Sequence, residues 1–99
     1  MARFIIAPQA LGDLQSIWDF IATDSPTAAD RQIDDFFAAF AKLARRPGKG
    51  HTRRDLTDRP VRFWRVGAYL VVYRDAHVPL QIIAILHGAR DVPPLLEDR

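Results

Sequence analysis

Residues 61–74 read Val-Arg-Phe-Trp-Arg-Val-Gly-Ala-Tyr-Leu-Val-Val-Tyr-Arg. Two runs rich in β-branched and aromatic residues flank Gly67-Ala68, a connection short enough to be the turn of a β-hairpin. Strands are therefore expected at 61–66 and 69–74. Side chains alternate across a strand, so Phe63 and Arg65 share one face and Arg62 and Trp64 the other. On the next strand Tyr69, Val71 and Tyr73 share a face, opposite Leu70, Val72 and Arg74. A third run, Leu-Gln-Ile-Ile-Ala-Ile-Leu at 80–86, is apolar at nearly every position. That is the pattern of a central strand buried on both faces.

Upstream of the hairpin the period changes. Leu11, Leu14, Ile17, Trp18 and Ile21 recur at steps of three and four, which puts them on one face of a helix over about 8–22. Pro8 suits the first turn of that helix, where its missing N–H would have had no partner. Ser25 and Pro26 mark a second start, as a cap and a first-turn proline. Ile33, Phe36, Phe37, Phe40, Leu43 and Ala44 continue the helical pattern, which ends at Arg45-Arg46-Pro47-Gly48: bases at the negative end of the dipole, then two breakers. The short connection makes the two helices an antiparallel hairpin. Residues 3–7 form an N-terminal strand stopped by Pro8, and 47–60 a basic loop. After His87-Gly88 a short turn or helix is expected over 91–97, interrupted by Pro93 and Pro94. The order β-α-α-β-β-β describes one small α+β domain over 1–99, with the helical hairpin on one face of a mainly antiparallel sheet. The opposite sheet face is expected to stand open, and to be the place to look for function.

Composition narrows the function classes. The chain has 99 residues, 48% of them hydrophobic, and no cysteine. That apolar content excludes a disordered chain, and the missing cysteine excludes disulfide scaffolds, thiolate catalysis and Cys-based zinc sites. No apolar run approaches the ~20 residues of a membrane helix, so a soluble cytoplasmic protein without membrane contact is expected. The net charge is only +2, but the 14 bases are unevenly placed. Nine of them, Lys42, Arg45, Arg46, Lys49, Arg53, Arg54, Arg59, Arg62 and Arg65, fall within 42–65. Such a block suits either an anionic partner or a solvated loop.

Common catalytic patterns are missing. Gly48-Lys49-Gly50 lacks P-loop spacing. His51, His77 and His87 have neither helical i,i+4 spacing nor companion ligands, so no metal is expected. Asp34 and Asp35 are neighbours on a helix and point apart. What remains is basic and aromatic. Arg62-Phe63-Trp64-Arg65 combines phosphate-binding and stacking side chains, although Phe63 or Trp64 could equally be core. Tyr73 and Arg74 could reach phosphate or a partner chain, or Tyr73 could pack with a bonded hydroxyl. His87 could exchange protons near neutral pH, or simply hydrogen-bond at a strand end.

Taken together, Ala7-Pro8-Gln9-Ala10-Leu11-Gly12-Asp13-Leu14, Ile17-Trp18-Asp19-Phe20-Ile21, Pro47-Gly48, Tyr69-Leu70-Val71-Val72-Tyr73-Arg74 and Ile85-Leu86-His87-Gly88-Ala89-Arg90-Asp91 resemble the RelE/ParE superfamily of type II toxin–antitoxin toxins. The resemblance covers nearly the whole chain and implies the same β-α-α-β-β-β fold. It also implies neutralisation by a cognate antitoxin, often a ribbon-helix-helix protein of the ParD kind. RelE-like members cut mRNA on the ribosome with a basic cluster and often a C-terminal tyrosine; ParE-like members inhibit DNA gyrase. Here Leu70 follows Tyr69 where a base is usual in the RelE-like branch, and no tyrosine follows Tyr73. The ending Leu86-His87-Gly88-Ala89-Arg90-Asp91 looks ParE-like. The resemblance therefore implies a gyrase-binding toxin, and no cofactor is expected; from the placement of the basic and aromatic residues, target contact is expected through Arg53, Arg54, Arg62, Arg65, Tyr73, Arg74, His87 and Arg90. The antitoxin would contact Leu14, Trp18, Phe37 and Phe40. The alternatives are a metal-independent endoribonuclease using Arg65, His87 and Arg90, or a non-toxic antitoxin-binding homologue.

Overall fold

The computed structural model describes residues 3–88. Along them run β1 (Phe4–Ile6), α1 (Pro8–Ala22), α2 (Pro26–Arg45), one 3-10 turn (Pro47–Lys49), β2 (Arg62–Val66), β3 (Tyr69–Arg74) and β4 (Leu80–His87). The turn or helix expected over 91–97 lies outside the described residues. Ser25 caps α2 as its position predicts: its side chain accepts from the Ala28 N–H at 3.1 Å. The Trp18 indole N–H donates to Asp30 at 2.9 Å and ties α1 to α2.

The strands form one mixed sheet in the order β1-β4-β3-β2. β1 runs parallel to β4, since the helical hairpin carries the chain across one face before the sheet resumes. The other pairs are antiparallel, with Arg65 opposite Leu70 and Leu70 opposite Leu86. Gly67 takes a φ of +60° in the β2–β3 turn, a conformation open to glycine at little strain. β4 is interior to the sheet and nearly all buried, as its apolar run requires.

Each sheet face has its own core. On the helix side Leu14, Phe36, Phe40 and Leu43 pack against Tyr69, Val71, Tyr73, Ile82 and Ile85, with Trp64 and Val66 at the margin. On the far side Val61, Phe63, Leu70, Val72, Ile83, Ala84 and Leu86 form a second buried cluster. The expectation of an open second face is therefore corrected. Leu56, from the segment read as basic loop, packs against that cluster. Two backbone bonds, from the Leu56 and Thr57 N–H groups to the Arg53 carbonyl, fold the segment into a turn.

β1 is only three residues long, and its pairing with β4 stops at Ile82. Farther along β4 the backbone would present an open edge, which sheets manage with side chains or covering elements. Asp13 of α1 fills this role: its Oδ2 accepts from the Ile85 N–H at 3.0 Å. Asp13→Ala is expected to lower unfolding stability by about 1–3 kcal/mol, because a strand N–H loses its charged acceptor. Urea unfolding measures this, and an unchanged midpoint would assign the bond no weight.

Candidate functional site

The residues expected to act follow from two features of the fold: where the basic segment is anchored, and which sheet face each strand residue takes. The anchor is Tyr73. It is fully buried, and its hydroxyl accepts from the Gly50 N–H at 2.9 Å while donating to the Pro47 carbonyl at 2.6 Å. Arg62 adds a second tie, with Nε 2.7 Å from Asp75 Oδ2 and Nη1 2.9 Å from the Gly50 carbonyl. The His51 and Phe63 backbones then exchange two hydrogen bonds along the outer side of β2. The turn after α2 is thus clamped to the sheet.

Burial pushes the Tyr73 phenol above its ordinary value of 10.0, with the Gly50 N–H and Arg62 pulling the other way. The neutral phenol is favoured in the folded state, so its contribution is complete below about pH 10 and is lost as pH rises through the raised value. Between about pH 9 and pH 11, the urea midpoint of the native chain should fall more than that of Tyr73→Phe. Equal slopes would contradict this assignment.

The candidate residues are dispersed. Tyr73 and Arg62 hold the fold, and a buried Tyr73 has no surface to offer a target; its expected contact role is corrected to a structural one. Arg53 forms an exposed two-point pair with Asp55, at 3.0 and 2.8 Å. Arg54, Arg65 and Arg74 are exposed. Arg65 lies on the face of Phe63, Leu70 and Leu86, away from the helices. His87 pairs with Tyr69 across the strands, and their rings meet edge to face at 5.1 Å on the helix side. Arg65 and His87 therefore sit on opposite faces of the sheet. Arg90 lies outside the described residues. Among the described residues no group of three His, Cys, Asp or Glu side chains converges to hold a metal, and no helix is long and apolar enough to cross a membrane.

Sequence reasoning missed a basic aromatic cluster on the helix side. Trp64 is stacked by His51 at 6.3 Å, and the Lys42 and Lys49 ammonium groups lie 5.9 and 5.5 Å from its ring centre. The adjacency of Arg62 and Trp64 hinted at such a cluster, but nothing local places Lys42 and His51 beside them.

An apolar groove of about 490 Å³ runs between α1 and α2, lined by Leu11, Leu14, Gln15, Trp18, Ile33 and Phe37. Three of the four residues expected to meet an antitoxin line it: Leu14 in the floor, Trp18 and Phe37 in the walls. Phe40 is fully buried beneath, meeting Phe37 and Phe4 edge to face, and is corrected to core. Leu11, 53% exposed, was overlooked because its helical period reads as ordinary core.

A family model described as the ParE toxin of the type II toxin–antitoxin system, parDE, matches residues 4–92. Among solved structures the chain is similar to one described as the chromosomal ParDE TA system from P. aeruginosa. The TM-score is 0.73 at 20% identity, over 89% of this chain and 97% of that one. At that identity the likeness speaks for the fold. No curated protein matches significantly. With the match spanning nearly all of its length, the chain belongs to the ParE toxin family of type II toxin–antitoxin systems.

Proposed function

We propose that this toxin acts by binding DNA gyrase, without catalysing RNA cleavage, and that a ParD-like antitoxin, expected to be a ribbon-helix-helix protein, neutralises it. The observation that carries the first part is the separation of Arg65 from His87. Metal-independent RNA cleavage needs a proton-transfer group and a cation converging on one phosphate. Here the two candidates occupy opposite faces of the sheet. Target contact then falls to the exposed bases Arg53, Arg54, Arg65 and Arg74, with His87 at the strand end.

The groove between α1 and α2 supports the second part. An amphipathic segment laid along it would bury Leu11, Trp18 and Phe37, in the manner of a helix seated in an apolar groove. Purified toxin added to a gyrase supercoiling reaction, and in parallel to translating ribosomes with mRNA 5′-end mapping, tests the reading. Loss of supercoiling without codon-positioned cuts is expected. Cuts with intact supercoiling would overturn it in favour of the ribosome.

A further inference from the structure

The basic aromatic cluster beside the end of α2 belongs neither to the antitoxin groove nor to the far face of the sheet. Lys42 comes from the last turn of α2, Lys49 from the 3-10 turn, His51 from the bridge beside β2, and Trp64 from β2 itself. We propose that this cluster holds a single strand of DNA, with the two ammonium groups on its phosphates and a base on the exposed His51 ring. The choice of DNA rests on the gyrase reading, because DNA is what that enzyme acts on; the strand-binding chemistry does not.

Three observations support it. The first is rigidity. Gly50 stands between Lys49 and His51 and is the residue the clamp grips: its N–H donates to the Tyr73 hydroxyl and its carbonyl accepts from Arg62 Nη1, both at 2.9 Å. The His51 N–H and carbonyl are taken by the Phe63 backbone at 2.9 and 2.7 Å. Lys42 and Trp64 sit on a helix and a strand. The cluster is thus set before a ligand arrives, which lowers the ordering cost of binding.

The second is charge. Lys42 and Lys49 are exposed, with their ammonium groups 5.9 and 5.5 Å from the Trp64 ring centre. A ring attracts a cation through its quadrupole and leaves the full positive charge in place. The ion pairs among the described residues, Arg53 with Asp55 and Arg62 with Asp75, involve neither lysine. Arg45 and Arg46, exposed at the same end of α2, extend the positive field. The third is the aromatic surface. The exposed His51 ring lies 17° from parallel to half-buried Trp64, with centres 6.3 Å apart. An exposed ring backed by a second is a platform for a base, and such stacking tolerates any sequence. Lysine charges beside a stacking platform suit a strand of phosphates and bases. An acidic peptide offers carboxylates, which favour a two-pronged arginine, and no run of flat bases.

Fluorescence anisotropy of a labelled oligo(dT) of roughly 15 nucleotides, titrated with the full chain at about 0.1 M salt, tests the site. Saturable binding is expected. Lys49→Ala removes one phosphate contact and should lower the slope of log affinity against log salt by about 0.7. His51→Ala should weaken binding by roughly tenfold and leave that slope nearly unchanged, since stacking releases no counterions. Arg31→Ala is the control. It removes an exposed base of α2 about 16 Å along the helix from Lys42, beyond the ~10 Å screening length, and should change affinity by less than about twofold. All three side chains are exposed, so an unchanged urea midpoint is expected for each variant. Absence of saturation, a wild-type salt slope for Lys49→Ala, an equal loss from Arg31→Ala, or equal affinity for polyglutamate of matched charge would overturn the proposal. Binding of oligo(U) tenfold tighter than oligo(dT) would overturn the assignment to DNA. Supercoiling measured with the same toxin separates the two readings. Strand binding with full supercoiling supports this site and removes the gyrase reading; inhibited supercoiling without strand binding removes this site alone.

Discussion

Gly50→Ala is expected to lower unfolding stability by about 2–4 kcal/mol, the combined scale of overpacking and a broken buried hydrogen bond. The backbone at Gly50 is ordinary extended chain, with φ −72°. The constraint is space. A Cβ there would overlap the Tyr73 hydroxyl oxygen and lie 2.8 Å from Tyr73 Cε1 and 3.0 Å from the Phe63 carbonyl oxygen. Tyr73 is fully buried and Phe63 is held by the His51 backbone, so neither gives way easily. Any shift also breaks the bond from the Gly50 N–H and loosens the Arg62 contact to the Gly50 carbonyl. Because both changes act through one clamp, Gly50→Ala and Tyr73→Phe should be non-additive, the double variant losing less than the sum. Strict additivity in urea unfolding would show that the clamp is not a unit.

Leu11→Asp is expected to weaken antitoxin binding by roughly tenfold to a hundredfold, or about 1.4–2.8 kcal/mol. Leu11 is more than half exposed in the free chain, so the substitution should leave folding nearly unchanged. In the complex it would place a carboxylate against Trp18 and Phe37 in a groove that the partner closes to water, where an unpaired charge is costly. Phe20→Asp is the control. Phe20 is 76% exposed, but it lines a different cavity with Ile17, Tyr69 and His87. If Phe20→Asp abolishes binding and Leu11→Asp does not, the antitoxin seat lies at the strand end instead.

Much of the fold was legible because its determinants are local. Helical spacing over Leu11, Leu14, Ile17 and Trp18, the Ser25 cap and the face alternation around Gly67 all act within a few residues, and the structure reproduces each. The site was less legible because its determinants join distant residues. Tyr73 reaches Pro47 across 26 positions, and Asp13 reaches Ile85 across 72. Arg62 reads as a surface base until the fold brings Asp75 beside it. Leu56, a lone apolar residue among bases and acids, was the available sign that the segment before β2 turns inward to cover the second core. The division of Arg65 and His87 between two faces was implicit in the strand alternation. It becomes decisive only once the pairing of β2 with β3, and of β3 with β4, is fixed.

On the proposed function, this ParE-family toxin inhibits gyrase by contact and an antitoxin lying in the α1–α2 groove relieves the inhibition. The most direct test is plasmid supercoiling by gyrase, measured with toxin and then with increasing cognate antitoxin. Supercoiling should fall with wild-type toxin and recover near equimolar antitoxin. With Leu11→Asp it should fall equally but recover only at much higher antitoxin. Full supercoiling at saturating wild-type toxin would contradict gyrase inhibition, and equal recovery for both toxins would contradict the groove as the antitoxin seat.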